Sequence, residues 1–103
     1  MNSEVLILYS RQGCCLCKTL EKKLSNIRLE KLTPSIVLSI VDIDSEKVSL
    51  DIQIKYTNEV PVAVLDSTRL SKKIELPRVS PRLKEDMLLS WIQKNLNILY
   101  KTS

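Results

Sequence analysis

Histidine and phenylalanine are both absent from the 103-residue chain, and there is one glycine, one tryptophan and three tyrosines. Without histidine there can be no Ser-His-Asp or Cys-His catalysis and no imidazole-ligated metal. A single glycine with four prolines excludes collagen-like and low-complexity chains. No run approaches the roughly 18 consecutive apolar residues of a membrane span. Met1 to Tyr9 is apolar but too short for a signal peptide, and it lacks a basic flank and a small-residue cleavage site. These absences lead us to expect a cytoplasmic protein with no membrane association.

What remains is an ordinary globular balance, 44% hydrophobic and 27% charged. The length predicts one domain over residues 1–103, with one modest core. Sixteen basic residues against 12 acidic ones leave a net charge of +4, a mild bias toward anionic partners. The bias is concentrated late in the chain. Between Arg69 and Lys84 stand Arg69, Lys72, Lys73, Arg78, Arg82 and Lys84 against Glu75 alone. A solvated face is the default reading of such a run, and a docking patch for an acidic protein partner is the sharper one. No interleaving of aromatic and basic residues points to nucleic acid.

Apolar periodicity predicts the order β-α-β-α-β-β-α. Val5–Tyr9 reads as a strand, broken by Ser10-Arg11-Gln12-Gly13. Leu16, Leu20, Leu24 and Ile27 follow at helical spacing, and Thr33-Pro34 marks a turn. Ile36–Val41 reads as a second, buried-type strand. Asp42–Tyr56 is ambiguous between helix and strand and is assigned to a helix, with Ser45 as a good N-cap and Val48 and Ile52 four apart. Val60–Leu65 is a third strand, Asp66-Ser67-Thr68 a turn, and Lys72–Leu76 a fourth strand. Ser80-Pro81 reads as N-cap and first residue of a last helix, with Leu83, Met87, Leu88, Trp91, Ile92 and Leu96 on its apolar face. The first two strands should run parallel with a right-handed crossover, and the last two should form a hairpin.

All three cysteines lie within Cys14-Cys15-Leu16-Cys17, after a strand and at the opening of a helix. A disulfide scaffold would scatter its cysteines, so this clustering points to redox chemistry or metal binding. At a helix N-terminus, unpaired backbone N–H groups and the helix dipole favour a thiolate and raise its reactivity. Arg11 and Lys18 flank the site and act in the same direction, and Gly13 permits a tight turn before the helix. Residues three apart lie on adjacent turns, within disulfide range, whereas neighbours such as Cys14 and Cys15 are too close for an unstrained bridge. Cys14 and Cys17 therefore form the candidate redox pair. Cys17 shares a face with Leu20 and Leu24 and should be shielded; Cys14, at the helix mouth, should be exposed and attack first, with Cys17 resolving the mixed disulfide. Cys15 should face solvent with Lys18, Thr19 and Lys22, as an incidental or extra modifiable thiol.

Two other readings of the cluster stand beside this one. Cysteine often serves as a small buried hydrophobe. Three thiolates could also hold a soft metal or share an iron–sulfur cluster across a dimer, although a closed zinc site wants four ligands, and the chain has neither histidine nor a fourth cysteine. We therefore expect no resident metal. Pro61 also draws attention: proline fits poorly inside a central strand, and a cis bond there would present the preceding backbone to an extended substrate. An ordinary trans proline at a strand start is the simpler alternative.

Together these segments resemble the thioredoxin fold, and within it the glutaredoxins. Leu8-Tyr9-Ser10-Arg11-Gln12-Gly13-Cys14-Cys15-Leu16-Cys17 is similar to the opening of small bacterial and plant glutaredoxin-like proteins. Val41-Asp42-Ile43-Asp44 and Tyr56-Thr57-Asn58-Glu59-Val60-Pro61-Val62 continue the likeness, which covers about Val5 to Leu65. The chain has Cys15-Leu16 where typical glutaredoxins carry Pro-Tyr, and it lacks their later Gly-Gly turn. The resemblance implies an α/β thioredoxin-like domain with a mixed four-stranded sheet flanked by helices. It implies a thiol–disulfide oxidoreductase with Cys14 as nucleophile, Cys17 as resolving thiol and Pro61 as a cis-proline beside them. Glutathione is implied as co-substrate, with no tightly bound cofactor. Arg11 would meet its carboxylate and Val60 would pair with its backbone. A disulfide-containing protein is the other implied partner. The rival function is a non-catalytic binding module on the same fold.

Overall fold

In the computed structural model, β1 (Glu4–Ser10), α1 (Cys15–Asn26), β2 (Ile36–Asp42), α2 (Leu50–Tyr56), β3 (Val62–Ser67), β4 (Lys72–Glu75) and α3 (Glu85–Lys101) follow one another, with one 3-10 turn at Leu29–Lys31. The structure describes residues 4–32, 34–80 and 82–101, the last without its side chain. Thr33 of the expected Thr33-Pro34 turn and Pro81 of the expected last-helix start lie outside the described residues.

The strands form one mixed sheet in the order β2-β1-β3-β4. β1 runs parallel to β2 and antiparallel to β3, and β3 and β4 form an antiparallel hairpin. The interior strands β1 and β3 are buried on both faces, which is why each reads as a near-continuous apolar run. Side chains alternate across a strand. Leu6, Leu8, Ala63 and Leu65 accordingly pack with Leu20 and Leu24 of α1 and Leu88, Ile92 and Leu96 of α3. Ile7, Tyr9, Val62 and Val64 pack on the other face with Ile43 and with Tyr56 of α2. Full burial of each such Leu or Ile contributes about 1.5–3 kcal/mol. Among the described residues no helix is long and apolar enough to cross a membrane.

Several local readings are corrected. β2 is an edge strand, with Val37 and Ile40 exposed rather than buried. The second helix begins at Leu50, capped by Ser49, whose Oγ accepts from the Ile52 N–H at 3.4 Å. Ser45 instead closes a turn: its N–H donates to the Asp42 carbonyl and its Oγ accepts from the Lys47 N–H. The third strand begins at Val62, not Val60; Pro61 has no N–H to give the ladder. The expected turn at Asp66-Ser67-Thr68 falls later, because Asp66 and Ser67 still pair with Lys73 and Lys72. The last helix begins at Glu85, so Ser80 is not its N-cap. Ser80 spends its hydroxyl accepting from the Arg82 N–H at 3.2 Å, while acidic Glu85 and Asp86 occupy the first helical turn. Two residues assigned to buried faces, Leu16 and Met87, are each 55% exposed.

Candidate functional site

β1 ends at Ser10, and Gly13 takes φ +81°, the left-handed conformation that glycine enters most readily. A Cβ there would meet nothing within 4 Å, so backbone conformation rather than space accounts for the glycine. The turn delivers Cys14 to the N-cap of α1 with extended φ and ψ. Its Sγ accepts a hydrogen bond from the Cys17 N–H at 3.2 Å, the place a serine or aspartate oxygen takes in ordinary caps.

The three thiols are all free and sit in three environments. Cys14 is half-buried, Cys15 is exposed beside exposed Lys18, Thr19 and Lys22, and Cys17 is 0% exposed. Burial, followed by hydrogen bonding to Cys14, pushes the Cys17 thiol up to about 11, with the Arg11 backbone and the Ser10 side chain pulling the other way. Among the described residues, no group of three or more His, Cys, Asp or Glu side chains is placed to hold a metal ion.

Arg11 is committed within the chain. Its Nε and Nη2 donate to the two Asp44 carboxylate oxygens at 2.9 and 3.0 Å. Its Nη1 and Nη2 also reach the Thr57 carbonyl and hydroxyl at 2.9 and 3.0 Å. The guanidinium therefore ties the segment after β1 to the segments before and after α2, and hydrogen bonding to Asp44 raises its pKa further. Lys18 stands exposed on the first turns of α1 and helps line a cavity of about 230 Å³ with Ser10 and Glu21.

The Val60–Pro61 peptide bond is cis. Tyr9 pairs with Val62, so Pro61 lies beside the end of β1. Leu16, Pro61, Arg78 and Val79 share a cavity of about 210 Å³, which brings the first turn of α1 against the proline. The Val60 N–H donates to the Tyr56 carbonyl at 3.2 Å and is thus engaged internally. Of the basic run, Arg78 pairs with Glu59 at 2.6 Å and Arg69 stacks over the Tyr100 ring at 5.3 Å, while Lys72 and Lys73 stay exposed on the edge strand β4.

Sequence reasoning missed Asp44 and Thr57 as holders of Arg11. It also missed Ser10 and Glu21, which are joined by a hydrogen bond of 2.6 Å beside the cysteines. One signal for Glu21 was available: it follows Cys17 by four residues, one helical turn away on the same face.

This sheet order, its flanking helices and a Cys-x-x-Cys at the mouth of α1 define a thioredoxin-like protein of glutaredoxin-like type. Residues 5–93 match the family described as Glutaredoxin-like domain (DUF836), and the chain belongs to that family. No curated protein sequence matches it. Its fold is similar to the solved structure of a malarial protein, with a TM-score of 0.59 and 20% identity over 92% of this chain and 99% of that one. It is also similar to the X-ray structure of the structural genomics target XcR50 from X. campestris, with a TM-score of 0.51 and 20% identity over 86% of this chain and 96% of that one.

Proposed function

We propose that the chain is a dithiol thiol–disulfide oxidoreductase in which Cys14 attacks a substrate disulfide and Cys17 resolves the intermediate. The observation that carries this reading is the Cys17 N–H bonded to the Cys14 sulfur at 3.2 Å. The amide fixes that half-buried sulfur at the mouth of α1, where an incoming disulfide can reach it. The fully buried Cys17 keeps its proton until that sulfur has reacted, which separates attack from resolution. Reduction of the resulting disulfide falls to glutathione or a dithiol donor. The exposed Lys72 and Lys73 offer an acidic protein substrate a place to dock, and the thiols suit a reducing, cytoplasmic compartment.

A disulfide reductase assay on the single Cys→Ser variants tests the reading. Cys14→Ser should abolish turnover. Cys17→Ser should trap a mixed disulfide visible by mass, and Cys15→Ser should retain activity. Turnover that survives loss of Cys14 would overturn the assignment and favour a binding role for the fold.

A further inference from the structure

The sheet has two open edges, β2 and β4, and the sequence treats them differently. On β4, Lys72, Lys73 and Glu75 leave Ile74 as the one uncharged residue, and a charged edge resists pairing with another sheet. β2 reads Ile36-Val37-Leu38-Ser39-Ile40-Val41-Asp42, with its single charge at the last position and no proline. An edge of that kind is a template for another strand. The Glu4 N–H donates to the Ser35 carbonyl at 3.0 Å and the Ile43 N–H to the Ser10 carbonyl at 2.8 Å, so the odd-numbered positions of β2 turn their backbone groups toward β1. Leu38 and Ile40 turn theirs outward, where no strand among the described residues pairs with them. Val37 and Ile40 are 52% and 43% exposed, and they lie on opposite faces of the sheet.

We propose that β2 pairs antiparallel with β2 of a second copy of this chain, about a two-fold axis at Ser39, joining the two sheets into one. Charge at the ends of the strand favours this occupant. Arg28 and Lys31 stand exposed around the 3-10 turn that packs against β2, and they outnumber Glu30. Past the strand, Asp42 and Glu46 outnumber Lys47, while Asp44 is taken by Arg11. Antiparallel pairing lays the basic end of each copy against the acidic end of the other, and the two-fold axis makes the match twice. The register about Ser39 sets Leu38 opposite the partner's Ile40 and Val37 opposite the partner's Val41. Outward backbone groups then meet outward ones, and the apolar side chains of each face stay together. β1 extends both rows: Val5 and Tyr9 lie beside Val37 and Val41 on the α2 face, and Leu6 and Leu8 lie beside Leu38 and Ile40 on the other. One contact thus covers both exposed side chains of the strand. The dimer is independent of the dithiol chemistry and holds whether or not Cys14 turns over a substrate.

Sedimentation equilibrium of the full chain should give a dimer mass. Val37→Lys and Ile40→Lys should each raise the dimer dissociation constant roughly 100-fold by placing a charge in the interface. Both positions are exposed in the single chain, so the variants should keep the circular dichroism of the parent. Leu50→Lys, at an exposed position of α2, should leave the dimer intact. Cross-linking checks the register in a Cys14→Ser, Cys15→Ser background, whose remaining Cys17 is buried. Across a two-fold axis at Ser39 the two Cα atoms stand about 4.5 Å apart, within disulfide reach. Ser39→Cys should therefore give a covalent dimer on air oxidation. Val37→Cys, whose two copies lie roughly 14 Å apart, should not. A monomer from micromolar to millimolar concentration would overturn the proposal and leave the edge to a strand of another protein. A dimer that survives both lysine variants, or that cross-links through Val37→Cys and not through Ser39→Cys, would overturn this interface.

Discussion

Arg11 and Asp44, separated by 33 positions in the chain, are joined by two hydrogen bonds of 2.9 and 3.0 Å between guanidinium and carboxylate. The pair occupies the place where the glutaredoxin resemblance puts a cation for the glutathione carboxylate. Four of the five guanidinium N–H groups are used by Asp44 and Thr57. Any glutathione carboxylate would compete with Asp44 for that cation. Replacing Asp44 with Asn should therefore lower the KM for glutathione, and Arg11→Gln should not raise it much. A KM that ignores Asp44→Asn would remove Arg11 from glutathione binding.

The buried resolving thiol makes stability depend on alkaline pH. The folded Cys17 titrates at about 11 against an ordinary 9.0, chiefly because burial disfavours the thiolate. A raised folded value means that the folded state holds the proton more tightly. The stabilisation is complete below the unfolded value and disappears as pH rises through the folded one. The reduced protein should lose stability between about pH 9 and 11. Tyr56, pushed from 10.0 to about 12 by burial and its bond to Glu75, continues the trend above pH 10. Urea denaturation of Cys17→Ser in the Tyr56→Phe background should show a flatter profile over this range.

Gly13→Ala should destabilise the protein by about 1–2 kcal/mol, because the residue must keep a left-handed backbone with a Cβ attached. No clash contributes, since the space is open. A shift in the urea midpoint with an unchanged slope would match this origin; no shift would show that the turn relaxes to another conformation.

Glu4 should anchor the far end of the sheet. Its carboxylate is fully buried and accepts from the Thr68 hydroxyl at 3.1 Å and the Arg69 N–H at 3.3 Å. Burial alone would raise its pKa, but hydrogen bonds from Ser67, Tyr100, Arg69 and Thr68 together bring it below 4.5. A lowered folded value stabilises above the unfolded pKa and is lost as pH falls through the folded one. Glu4→Ala should cost about 1–3 kcal/mol at neutral pH by leaving those donors unpaired. It should also remove part of the acid-induced loss of stability below pH 4.5, which thermal melts across that range would read.

Where a residue's neighbours are local, the sequence was legible. Cys17, Leu20 and Leu24 share a buried stripe because three- and four-residue spacing lines up a helix face, and Cys15 falls outside it. Leu16 shows the limit of the same rule: it lies on the edge of that face, yet it stays exposed and lines a surface cavity with Pro61. Ser45 and Ser80 were misread for another local reason. A serine suited to capping a helix is equally suited to closing a turn, and composition does not choose between them.

The order of the elements, the apolar runs of β1 and β3 and the dithiol at a helix mouth were determined by the sequence alone, because each follows from a repeat, run or junction a few residues long. The partners of Arg11, Ser10 and Glu4 were decided only by the tertiary structure. Their distances depend on how strands register and how α1 and α2 sit against the sheet, and a hydrogen bond tolerates only a few tenths of an ångström. Burial patterns survive such shifts; bonds between side chains 11, 33 or 64 positions apart do not.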